Sequence, residues 1–151
     1  MSKRRAFLKS AAGVGSGAAL AAMALHAQAP GGRARAAGGI RVGNLYFSSG
    51  LTGVNPERRT NPAAAPGDIK EQTQRSLETH KKNLESIGTS LENVIKVTVF
   101  LADPKNERTG MNETYAKFFP KDAPSRSAIG VTFPDDATRV EIELVAWIPD
   151  K

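Results

Sequence analysis

The chain has 151 residues, with 21 Lys and Arg against 15 Asp and Glu, a formal net charge of +6, and no cysteine. The missing cysteine excludes disulfides, thiolate metal sites and a cysteine nucleophile together. Chemistry must therefore rest on carboxylates, hydroxyls, basic side chains and two histidines.

The N-terminus reads as an export signal over residues 1–29. Ser2-Lys-Arg-Arg-Ala-Phe-Leu-Lys9 places a twin arginine before an apolar pair and a lysine. A Gly- and Ala-rich apolar stretch follows from Ser10 to Leu25, and Ala27-Gln28-Ala29 offers the small residues a signal peptidase reads. The stretch is too short and too glycine-rich for a good membrane span. This pattern predicts a bacterial twin-arginine substrate, exported already folded to the periplasm or beyond, with no membrane attachment after cleavage. Four of the basic residues and none of the acidic ones lie in this segment. Residues 30–151 thus carry 17 basic against 15 acidic side chains, a net +2. Such a balance is no nucleic-acid footprint. The remaining 122 residues suit one domain with its own core.

Residues 30–38 read as a flexible lead-in, and the domain is placed at 39–151. Ile40–Val42 and Leu45–Ser49 flank Gly43-Asn44, the two-residue spacing of a tight hairpin. Gly50 to Gly67 holds Pro56, Pro62 and Pro66 and reads as loop, with Arg58-Arg59 at a solvated tip. Asp68 and Glu71 have the spacing of a capping box. Ile69, Thr73, Leu77, His80, Leu84 and Ile87 then recur on one helical face that Gly88 ends. His80 is read there as a packed side chain rather than a catalytic one. Val94–Leu101 is a strand by its β-branching. A second helix is expected from Asn106 to Phe119, with Met111, Tyr115, Phe118 and Phe119 as its apolar side, and Pro120 to Pro124 breaks it.

Two strands close the chain. Pro124–Val131 opens on Arg126. Val140–Ile148 alternates two faces: Val140, Ile142, Leu144, Ala146 and Ile148 form a clean core face, while Glu141, Glu143, Val145 and Trp147 share the other. An ionised carboxylate away from water needs a cationic or hydrogen-bonded partner, and Arg126 is a natural candidate for that neighbourhood. The order β-β-α-β-α-β-β predicts a single α+β domain, a mixed sheet with two helices on one face. The opposite face, partly apolar, is expected to be covered by self-association.

This order, together with seven stretches, resembles the reactive-intermediate deaminase family, also called YjgF-like or endoribonuclease L-PSP. The stretches are Val42–Asn44, Ser49-Gly50, Asp68–Thr73, Leu91–Leu101, Met111–Tyr115, Pro124–Ser127 and Val140–Glu143. The resemblance implies a chorismate-mutase-like fold, a homotrimer with ligand clefts between subunits, and hydrolysis of 2-imino acids or their enamine tautomers to 2-oxo acids and ammonia. It implies no metal and no organic cofactor. Arg126 stands where the family holds the substrate carboxylate, and Glu141 where it handles the attacking water. Ser49 and Asn112 fall where it lines the same cleft, as does Ala128, a position often cysteine in the deaminating branch. That branch also carries a tyrosine before its first strand, and by spacing Ala36 stands there.

The chemistry of the residues agrees with these roles. A guanidinium can grip a carboxylate through two parallel hydrogen bonds. A carboxylate near water can orient and partly deprotonate it, typically for about 10²–10⁴-fold. The rival from another class is a non-catalytic trimer that binds a small carboxylate and has lost deaminase activity. Ribonuclease activity, suggested by one family name, fits poorly with a near-neutral domain that lacks an aromatic, basic surface. Beside these stands a structural reading of the acidic strand: Arg126 and Glu141 as an ion pair at a subunit interface, with Glu143 paired to Lys96.

Overall fold

The computed structural model describes residues 32–150. The expected export signal at 1–29 lies outside them. The chain forms β1 (Arg33–Ala36), β2 (Gly39–Val42), β3 (Leu45–Ser48), β4 (Leu51–Thr52), α1 (Ile69–Ser86), β5 (Val94–Leu101), α2 (Pro104–Phe118), β6 (Ser125–Gly130) and β7 (Val140–Trp147). One sheet runs in the order β1-β2-β3-β7-β5-β6, with β4 pairing β7 beyond the end of β3. Only β5 and β6 pair in parallel, so the sheet is mixed, as the sequence implies.

The hairpin at Gly43-Asn44 forms between β2 and β3. A second hairpin precedes it. Residues 33–36, expected within a flexible lead-in, are instead a strand paired to β2. The physical reason is their alternation: Arg33 and Arg35 are exposed while Ala34 and Ala36 are half-buried, and Ala36 packs against the core. Ala37 and Gly38 make the turn with φ of 39° and 73°, and the Tyr46 hydroxyl pins it by donating to the Ala37 carbonyl at 2.8 Å.

α1 begins on the expected capping box. The Glu71 amide donates to Asp68 Oδ1 and the Asp68 amide to Glu71 Oε2, both at 2.9 Å, an arrangement worth about 1 kcal/mol of helix stability. It ends where Gly88, at φ 82°, lets its amide reach the Glu85 carbonyl and the Thr89 amide reach that of Leu84. Its buried face is not wholly apolar. Leu77 and Leu84 are fully buried, each giving about 2–3 kcal/mol of transfer free energy, but so are Gln72, Ser76 and His80.

Each of those polar groups bonds a neighbouring segment. Gln72 Nε2 donates to the Gly67 and Ala137 carbonyls at 2.9 and 2.7 Å, and its Oε1 accepts from the Arg139 amide at 2.9 Å. Ser76 Oγ donates to the Leu51 carbonyl and His80 Nε2 to that of Ile142. α1 is thereby clamped to β4, to β7 and to the segment before β7.

The core lies between both helices and one face of the sheet, with Val97, Val99, Leu101, Val140, Ile142, Leu144 and Ala146 from β5 and β7. On the far face Leu45 pairs with Trp147 and Phe47 with Val145. Leu45, Phe47, Ile129 and Trp147 are all exposed there, Phe47 by 43% and Trp147 by 47%. No helix among the described residues is long and apolar enough to cross a membrane.

Candidate functional site

Strand register decides where each candidate points. Arg126 and Ala128 alternate along β6 and sit opposite Val97 and Val99 of β5, which are fully buried. Paired residues share a face, so both candidates face the helices. Glu141 sits opposite Phe100, and Glu143 opposite Thr98, on the far face of the sheet. Within one chain Arg126 and Glu141 therefore do not meet, contrary to the neighbourhood expected from sequence. Neither forms an ion pair among the described residues. Glu143 does not pair with Lys96 either, since Lys96 Nζ donates to Ser127 Oγ at 2.8 Å.

Arg126 lies against α2. Its Cζ is 4.5 Å from the centroid of the Tyr115 ring, over the ring face. Its Nη1 is 3.9 Å from Met111 Sδ, a weak acceptor. The guanidinium has five N–H donors, and no carboxylate among the described residues pairs with it. A half-buried cation left this way is a ready anion site. Asn112 shares α2 with this pair. It is half-buried, and its Oδ1 is buried without a partner. So is the Tyr115 hydroxyl. Burial pushes that phenol up to about 12, with Arg126 pulling the other way, so it stays neutral at physiological pH.

On the far face, the Glu141 carboxylate rests on the backbone of Gly50. A Cβ at position 50 would lie 1.8 Å from Glu141 Oε1, so only glycine admits the carboxylate in this place. Ser49 is exposed beside it, with its amide donating to the Gly38 carbonyl at 3.1 Å. The chain leaves β3 just before, where the Leu144 amide bonds Ser48 Oγ at 2.8 Å. The sequence candidates thus fall into two groups. Arg126, Ala128 and Asn112 lie on the helix side, while Ser49 and Glu141 lie on the far side. Among the described residues no three His, Asp or Glu side chains converge to hold a metal ion.

Tyr115 and Met111 escaped the sequence reading as site residues because they serve equally well as apolar helix positions. The signal was their spacing: Met111, Tyr115 and Phe119 recur every four residues, a stripe along one face of α2 that ends on its C-cap.

The fold defines a class: a small α+β protein with a mixed sheet and two helices on one face. The endoribonuclease L-PSP family model matches residues 26–148, and the chain belongs to that family, also known as Rid or YjgF. A RutC family protein of Pyrococcus abyssi is 40% identical over 108 residues, covering 72% of this chain and 82% of the relative. The 2-iminobutanoate/2-iminopropanoate deaminase of Escherichia coli K12 is 32% identical over 111 residues, covering 72% and 83%. The crystal structure of yeast Mmf1 superposes with a TM-score of 0.64 at 30% identity, covering 80% of this chain and 93% of that one.

Proposed function

We propose that this chain is an exported hydrolase of the deaminase type, acting on 2-imino acids or related small enamine carboxylates. It works as a homotrimer whose clefts join the Arg126 half-site of one copy to the Glu141 half-site of another. The observation that carries the proposal is Arg126, a half-buried guanidinium held over an aromatic ring with no carboxylate partner among the described residues. The deaminase names of relatives support it, and the twin-arginine segment supports export. The apolar far face, with Phe47 and Trp147 nearly half exposed, is surface that assembly would cover.

In this reading Arg126 grips the substrate carboxylate and fixes C2 beside it. Glu141 accepts a proton as water oxygen bonds C2 and passes it to the imine nitrogen, giving the carbinolamine. The carbinolamine then collapses: its hydroxyl proton passes by way of Glu141 to the amino nitrogen, the C–N bond breaks, ammonia leaves and the 2-oxo acid remains. Imines already hydrolyse readily in water, so one base and one anchor suffice.

The non-catalytic binding reading has one observation in its favour. Ala36, standing where deaminating relatives carry tyrosine, packs against the core and offers no side chain to a cleft. The assay that separates the two uses residues 30–151 with an amino-acid oxidase generating 2-imino acids and semicarbazide trapping them. Hydrolysis by the wild type and none by Arg126→Ala supports the enzyme. Trapping unaltered by either protein leaves Arg126 as the anchor of a binding protein.

A further inference from the structure

Arg126 is held by a structure of its own. Met111 and Tyr115 on α2 and Phe119, which caps its C-terminal end, lie four residues apart, and all three are buried. The Met111 sulfur meets Nη1 at one edge of the guanidinium. The Tyr115 ring lies beneath Cζ, and Phe119 backs that ring at a centroid distance of 4.6 Å and an angle of 32°. A guanidinium attracted to a ring face keeps its N–H donors directed outward, free for a carboxylate.

We infer that the Met111–Tyr115–Phe119 stripe is a cradle that sets the plane of Arg126, and that Tyr115 is a positioning residue acting through its ring rather than its hydroxyl. This rests on the reading of Arg126 as the carboxylate anchor. The hydroxyl has no partner among the described residues, and with a phenol that stays neutral it contributes no charge to the site. The ring face is what touches the guanidinium. Position 115 therefore takes phenylalanine without loss, whereas an aliphatic residue of similar bulk leaves Arg126 free to rotate. Because the ring acts on the anchor and not on the reacting carbon, its loss raises KM and spares kcat.

Two readouts test the inference on residues 30–151 carrying Tyr115→Phe or Tyr115→Leu. The first needs no ligand: side-chain ¹⁵N NMR of the Arg126 Nε–H group. In the wild type and Tyr115→Phe this proton is displaced upfield by the ring, and in Tyr115→Leu the displacement is lost. The second is imine hydrolysis, where Tyr115→Leu should raise KM about tenfold with kcat nearly unchanged, and Tyr115→Phe should match the wild type. The inference is overturned if Tyr115→Leu keeps the upfield shift or the wild-type KM, or if Tyr115→Phe is as damaging as Tyr115→Leu. Failure of the wild type to hydrolyse imines, with the shift pattern intact, would remove the enzymatic reading and leave the cradle standing. Thermal unfolding of both variants, at matched concentration, separates a lost cradle from a lost fold.

Discussion

Lowering the pH should weaken this protein through His80. The ring is fully buried. Its Nε2 donates to the Ile142 carbonyl at 2.8 Å, while Nδ1 is buried without a partner. Desolvation lowers the pKa of the ring, and the bond to Ile142 opposes this only in part. The unfolded chain, with an ordinary histidine near 6.5, takes up its proton first as pH falls. Stability is thus fully present above that value and declines below it, until the folded ring protonates too. One proton sets the ceiling: between pH 7.5 and 5.5 the loss is at most about 1.4 kcal/mol. At a typical urea dependence this moves the unfolding midpoint down by about 0.5–1 M. His80 is the one histidine in residues 30–151, so the window belongs to it. Urea titrations at both pH values, at fixed protein concentration, should show this shift in the wild type and not in His80→Gln. A wild-type midpoint that ignores pH, or a variant that follows it equally, would refute the reasoning.

Two further outcomes follow from local geometry. Gly50→Ala must push the Glu141 carboxylate off its seat, since the new methyl would stand 1.8 Å from Oε1. Imine hydrolysis should fall about 10²-fold or more while far-UV circular dichroism stays native; unchanged hydrolysis would remove Glu141 from the chemistry. Ala37→Asn relieves a left-handed alanine at φ 39° in a two-residue turn that favours asparagine, and should raise stability by about 1 kcal/mol. An unchanged or lower urea midpoint would show that the turn carries no strain.

What the sequence disclosed was what short-range physics controls. The capping box of Asp68 and Glu71, the Gly43-Asn44 hairpin and the two faces of β7 each depend on neighbours within a few residues. Other features depend on distant partners. Gln72 and Ser76 read as ordinary polar helix positions, because the Ala137 and Leu51 carbonyls that satisfy them lie 65 and 25 residues away. β1 shows a strand's alternation in Arg-Ala-Arg-Ala, but its glycine-rich flank reads as lead-in. Alternation also reveals that Arg126 and Ala128 share a face without revealing which face. Only the pairing of Arg126 with Val97 turns it toward α2 and away from Glu141.

That separation frames the most direct test of the account. If Arg126 and Glu141 serve one cleft, they must come from different copies of the chain. Arg126→Ala and Glu141→Gln, each inactive alone, should complement when co-refolded in equal amounts. Random assembly gives about one cleft in four both native residues, so imine hydrolysis should return to roughly a quarter of the wild-type rate. A mixture as inactive as its components would contradict the shared cleft.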